Sequence, residues 1–99
     1  MMGGKPDIRA RITLVGRDWV YSGYRPAHLI GEYLTTGVQQ YLGQKILRES
    51  ETVEGTITFV SPEFYPHSLK KGMVIRFQEG SRITGYAEVL EVYNDLLKC

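Results

Sequence analysis

The sequence predicts an all-β domain, a small closed antiparallel β-barrel, and three observations carry that expectation. Asp7 to Val15 and Val53 to Val60 both alternate apolar and polar residues, with the period of a half-buried strand. Near the end, Gly80-Ser81 separates the β-rich run Met73 to Gln78 from a second run with small residues at Gly85 and Ala87. Turn residues between two such runs signal a hairpin, and small residues inside a strand mark tight barrel bends or close backbone approach. That hairpin therefore reads as the one that closes the barrel.

The chain has 99 residues, the length of one domain. A domain of this size buries roughly 60–70% of its unfolded surface, so one modest core forms without staples. The single cysteine, Cys99, excludes an internal disulfide, and a reducing cytoplasm is the simplest setting. No apolar run approaches the roughly 18 residues of a membrane helix. Residues 1–6 lack the apolar stretch of a signal peptide and read as a flexible leader. Residues 7–93 read as the barrel and 94–99 as a short tail.

Taken in order, Asp7 to Val15 places Ile8, Ala10, Ile12 and Leu14 on the buried face and Arg9, Arg11 and Thr13 on the other. A one-residue slip would bury both arginines, so the register is firm. Gly16-Arg17-Asp18 breaks the strand. Trp19 to Pro26 then reads as an irregular aromatic loop laid over the barrel as a lid, with Trp19 and Tyr21 adding core area; the alternative is a stacking or phosphate-binding surface formed by Tyr24 and Arg25. Pro26 keeps Arg25 extended.

His28 to Leu34 reads as a strand that Gly31 weakens or bulges, and Thr35-Thr36-Gly37 as a turn or kink. Val38 to Leu47 reads as bent β rather than helix because of Gly37 and Gly43, and residues 48–51 as a polar connector. In the second alternating strand, Val53, Gly55, Ile57 and Phe59 share the buried side. Ser61-Pro62 ends it, and Glu63 to Gly72 reads as a loop with one helical turn. The next strand buries Met73, Ile75 and Phe77 and exposes Arg76. In the last, Ile83, Ala87 and Val89 hand over to Leu90 and Val92, which calls for a bulge near Val89-Leu90. Asn94 to Lys98 reads as a frayed turn.

Three landmarks then line up: Gly23-Tyr24-Arg25-Pro26, Thr35-Thr36-Gly37, and Arg76-Phe77-Gln78-Glu79-Gly80-Ser81-Arg82-Ile83-Thr84-Gly85. Their order and spacing resemble the C-terminal (third) domain of translation elongation factor Tu and related translational GTPases, over about Asp7 to Val92. The stretch from Gln39 to Glu54 departs from that family and lacks its Pro-Gly-Asp turn. The resemblance implies a Greek-key barrel of about six strands that performs no chemistry. It further implies packing on a GTPase domain and contact with an exchange factor and with the backbone of aminoacyl-tRNA. Tyr24, Arg25 and Pro26 match the family loop, and Gly80 and Arg82 its terminal hairpin. The family's lysine and arginine are Ser22 and Leu34 here, and its second hairpin glycine is Ser81.

The formal net charge of +1 gives no electrostatic pointer to nucleic acid. The first quarter, with Lys5, Arg9, Arg11, Arg17 and Arg25 against Asp7 and Asp18, allows a local basic patch or a plain solvated face. There is no phosphate-binding Gly-x-x-x-x-Gly-Lys-Ser/Thr loop. His28 and His67 lack zinc-ligand spacing, and Cys99 has nothing near it in sequence to lower its pKa. The expectation is a non-catalytic module without cofactor or metal that binds a protein partner, translation-linked or a second copy of itself. The alternative is a module that binds a tRNA-like RNA backbone. The candidate contact residues are Tyr24, Arg25, Pro26, Gly80, Ser81, Arg82, Arg9 and Arg11.

Overall fold

The alternation from Asp7 onward becomes β1 (Ile8–Leu14), the strand on which the barrel closes. The structure, a computed structural model, describes residues 5–99, so the expected leader lies outside the described residues except for Lys5 and Pro6. After β1 come β2 (Trp19–Tyr21), β3 (Ala27–Ile30), β4 (Tyr33–Tyr41), β5 (Ile46–Arg48), β6 (Thr52–Phe59), β7 (Val74–Glu79) and β8 (Arg82–Val92). Six of them close in the order β1-β6-β4-β3-β7-β8, with every neighbouring pair antiparallel. Three sequential barrel strands, β3, β4 and β6, lie side by side, and the connection from β6 to β7 returns across them. This is a Greek-key path. No helix is long and apolar enough to cross a membrane, among the described residues.

The core follows the expected parity. Ile8, Ala10, Ile12 and Leu14 of β1 are fully buried, as are Ile57, Ile75, Phe77, Ala87 and Val89. Glycines let neighbouring strands and rings approach closely. A Cβ at Gly85 would overlap the Phe77 ring and the Thr13 carbonyl.

The bulge expected near Val89-Leu90 is present: Arg9 faces Glu91 and Ala10 faces Val89, which leaves Leu90 as the extra residue. A second bulge escaped the sequence reading. Phe77 pairs with Gly85 but Gln78 pairs with Ile83, so Thr84 is the extra residue. It turns Ile83 outward and buries Thr84 instead, correcting the placement of Ile83 on the Ala87 face.

Other expectations about the strands are corrected. The first three residues of the aromatic segment, Trp19–Tyr21, are a strand rather than part of an irregular lid: β2 pairs with β5 in a separate ribbon, and residues 22–26 follow as loop. Val20 and Leu47 are its buried residues, while Trp19 and Tyr21 point into solvent. Residues 28–34 form a hairpin rather than one strand, because Gly31 at φ 60° makes a two-residue turn with Glu32 between Ile30 and Tyr33. Thr35-Thr36-Gly37 lies within β4 and is no turn. Met73 precedes β7 and is only half-buried.

The one helical turn expected after Pro62 is a 3-10 turn at Pro62–Phe64. The tail is docked rather than frayed. A second 3-10 turn, Asp95–Leu97, buries Leu97 completely, and the Cys99 amide donates to the Leu69 carbonyl at 2.9 Å. Asp7 binds the two ends of the domain together. Its carboxylate accepts the Phe59 amide at 2.6 Å and the Asn94 side-chain amide at 2.8 Å, and its carbonyl accepts the amides of Tyr93 and Asn94.

Candidate functional site

The loop and hairpin singled out in the sequence meet in space. Gly23, at φ 99°, turns the chain so that its amide donates to the Gln39 carbonyl at 2.6 Å, while the Gln39 amide donates to the Tyr24 carbonyl at 2.9 Å. Pinned to β4 in this way, Tyr24 reaches the β7–β8 hairpin. Its hydroxyl donates to Glu79 Oε2 at 2.5 Å and lies 2.9 Å from the Thr84 hydroxyl, and its ring stands edge-on to Phe77. Arg17 donates to the same Glu79 oxygen at 2.8 Å and sits 6.0 Å from the centre of the Tyr24 ring.

Each ionisable group here is held in its resting form. The Tyr24 hydrogen bond and the Arg17 guanidinium lower the Glu79 pKa. Burial, with Glu79 beside it, pushes the Tyr24 hydroxyl well up. The network braces a barrel end. Beside it lies an open groove of about 310 Å³ lined by Arg17, Asp18, Trp19, Glu79 and Arg82.

The remaining predicted residues divide between this end and elsewhere. Gly80 at φ 58° and Ser81 form the exposed two-residue turn between Glu79 and Arg82. Arg25 and Arg82 are exposed, and neither forms an ion pair among the described residues. Pro26 is buried, and its carbonyl accepts the Gly37 amide at 3.2 Å. It is a structural residue.

Arg9 and Arg11 do not join the cluster. Arg11 faces Glu88, six residues along β8 from Arg82, a separation of roughly 20 Å along a strand. Both are paired: Arg11 with Glu88 at 2.7 Å, and Arg9 with Glu54 at 2.9 Å and Glu91 at 3.4 Å.

Behind Tyr24 the interior carries a polar chain that sequence reading missed. The Tyr41 hydroxyl donates to Gln39 Oε1 at 2.8 Å, which leaves the Gln39 amide to donate to His28 Nε2 at 3.0 Å. His28 therefore carries its proton on Nδ1. That nitrogen is buried and has no hydrogen-bond partner among the described residues. Burial lowers the His28 pKa to about 4.

Two further surfaces also went unread. At the far end of β3 from the terminal hairpin, Tyr33, Leu34, Val60 and Phe64 are 54–67% exposed and line one groove of about 290 Å³ together with Thr35, Thr36, Ser61 and Tyr65. Tyr65 anchors its wall, its hydroxyl 2.9 Å from the Thr35 hydroxyl. Patterning could have exposed Leu34 only if Gly31-Glu32 had been read as a turn. Separately, Lys70, Lys71 and Lys98 gather around a shallow groove of about 460 Å³ with Arg9 and Glu91. These lysines come from two loops far apart in sequence, so no local run announces them.

Compared with models of known families and with curated proteins, the sequence matches none.

Proposed function

We propose that this barrel is a non-catalytic module that binds another protein, in a cytoplasmic, translation-linked setting of the elongation factor Tu third-domain type. The observation that carries the binding role is the apolar groove. Tyr33, Leu34, Val60 and Phe64 are all more than half exposed and converge on one concavity. Single exposed apolar residues are ordinary, but a contiguous cluster around a groove marks an interaction surface. The family reading draws support from the Greek-key barrel. It also draws on the mutual contact of the landmarks: Tyr24 bonds Glu79 and Thr84, and Pro26 bonds Gly37. The satisfied Tyr24–Glu79–Arg17 network favours a structural over a catalytic role for the most perturbed surface groups.

The RNA reading retains one specific support, the groove of Lys70 and Lys71, where Lys98 is already paired with Asp95 at 2.9 Å and to which exposed Arg25 and Arg82 add charge elsewhere. Pairing of Arg9 and Arg11 with carboxylates weakens it, since only uncompensated cations release counterions from a phosphate backbone. Cross-linking in lysate followed by reconstitution with the purified partner tests the main reading. Stoichiometric binding that Phe64→Asp abolishes and Arg82→Gln leaves intact supports it. A salt-sensitive shift of total tRNA, lost on changing Lys70 and Lys71 to Gln, with no protein partner reconstituted, would replace it by the RNA reading.

A further inference from the structure

The backbone beside the apolar groove is unfinished sheet. β6 pairs with β4 only from Gly37 onward, and its last contact is the Val60 amide to the Thr36 carbonyl at 3.0 Å. The chain then leaves the ladder at Ser61 for the Pro62–Phe64 turn, which stays beside residues 33–36 as a wall of the groove. From Tyr33 to Thr35, the side of β4 that faces away from β3 has no strand beside it among the described residues. The Gly37 amide points to β3, bonding the Pro26 carbonyl. Antiparallel alternation therefore sends Tyr33 and Thr35 toward β3 and the Leu34 amide and carbonyl to the open side. Such edges are usually blunted by a lysine, a proline or a covering loop. None of residues 33–36 is charged or proline.

The surroundings specify what fits. The lining of the groove is entirely uncharged, and the charged residues next to it in sequence are both acidic: Glu32 precedes Tyr33, and Glu63 precedes Phe64. Burial raises the Tyr65 pKa, and the charges of Asp7 and then Glu63 add to it. We propose that the Tyr33–Thr36 edge of β4 receives an extended segment of a partner protein as an added strand. Alternate apolar side chains of that segment enter between Leu34, Val60 and Phe64, and a flanking Lys or Arg meets Glu32 or Glu63. Main-chain bonds give such a strand affinity and the side-chain pockets give it specificity. A second copy of this chain fits poorly. Symmetric pairing about Leu34 sets Glu32 of each copy opposite Thr36 of the other, so a second copy supplies no cation to Glu32. The inference rests on the protein-binding reading and specifies the partner's chemistry.

The test uses the whole chain labelled with 15N and two fluorescent peptides, Lys-Ile-Thr-Val-Thr-Arg and Glu-Ile-Thr-Val-Thr-Glu. The expected result is that the basic peptide binds about tenfold more tightly than the acidic one, with the preference shrinking in salt. Amide shifts should concentrate at 33–36, 60 and 64. Phe64→Asp should weaken binding at least about tenfold. Leu34→Pro keeps an apolar side chain but removes the outward amide, and should abolish binding while leaving the thermal midpoint within a few degrees. Binding that survives Leu34→Pro, or shifts centred on Tyr24 and Arg82, overturns strand addition. If neither peptide binds but a purified partner still requires Phe64, this inference fails and the binding-module reading stands. If no partner requires Phe64 either, both fail. A concentration-dependent dimer lost on Leu34→Pro would assign the edge to a second copy instead.

Discussion

The imidazole of His28 lies directly over Gly37: a Cβ at Gly37 would come within 2.8 Å of two of its ring atoms and 2.9 Å of an Ile57 methyl. The glycine of the Thr-Thr-Gly landmark is thus required by a packed ring, with no turn involved. Gly37→Ala is expected to cost about 1–3 kcal/mol through overpacking, read as a lower urea midpoint at unchanged slope. A variant as stable as the parent would mean that the ring moves aside freely.

His28 also sets a pH dependence. Its folded pKa, about 4, lies below the ordinary 6.5, so between those values the unfolded chain binds a proton that the native barrel does not. Stability is therefore full above about pH 6.5 and declines as pH falls toward 4, by roughly 3 kcal/mol in all. Carboxylates add their own acid dependence at lower pH. The comparison is therefore with His28→Gln, whose free energy of unfolding should fall less steeply from pH 6.5 to 4.5. Equal slopes would show that His28 protonates without penalty.

Tyr24→Phe removes the hydroxyl that Glu79 and Thr84 share. Glu79 keeps Arg17, but the fully buried Thr84 hydroxyl loses its side-chain partner. A loss of about 1–2 kcal/mol is expected in chemical denaturation. Arg11→Gln, which breaks an exposed pair with Glu88, should change stability by under about 0.5 kcal/mol. The reverse ranking would contradict the roles assigned to the two residues.

Asp7→Ala leaves the Phe59 amide unpartnered in the interior and frees the Asn94 side chain. We expect a loss of about 2–3 kcal/mol, since a buried donor forfeits a bond to a charged acceptor. Asp7→Asn, which can still accept one of the two bonds, should lose less. Hydrogen exchange should quicken first at Phe59 and Asn94.

The barrel was legible where one strand face is wet and one dry. β1 and β6 announce themselves because Arg9, Arg11, Thr56 and Thr58 alternate with apolar neighbours, and the Leu90 bulge because the parity visibly switches. Legibility failed where the apolar residue of a strand points outward. Trp19 and Tyr21 read as core because of their size, yet in a three-residue ribbon strand the inward position belongs to Val20. Thr84 was missed because a bulge that buries a threonine leaves no hydrophobic trace in the sequence. Of the site, the landmarks named Tyr24 and the terminal hairpin separately, and their contact through Glu79 and Thr84 became visible only in the fold. Ion pairs such as Arg9 with Glu54 and Glu91 link positions far apart in the chain, and only the register brings them together.

β1 lies between β6 and β8, so the first strand of the barrel is completed by the last. Ile8 pairs with Val92, and Arg9 with Glu91. While the chain emerges from a ribosome, β1 has one bare edge until β8 follows, and the barrel cannot close before Val92 is free. Closure across nearly the whole chain places folding among the slow, high-contact-order cases, in the range of milliseconds to seconds. A stop before Gly85 would release a chain whose first strand has no second neighbour. Such a product is a substrate for chaperones and proteases rather than a smaller working barrel.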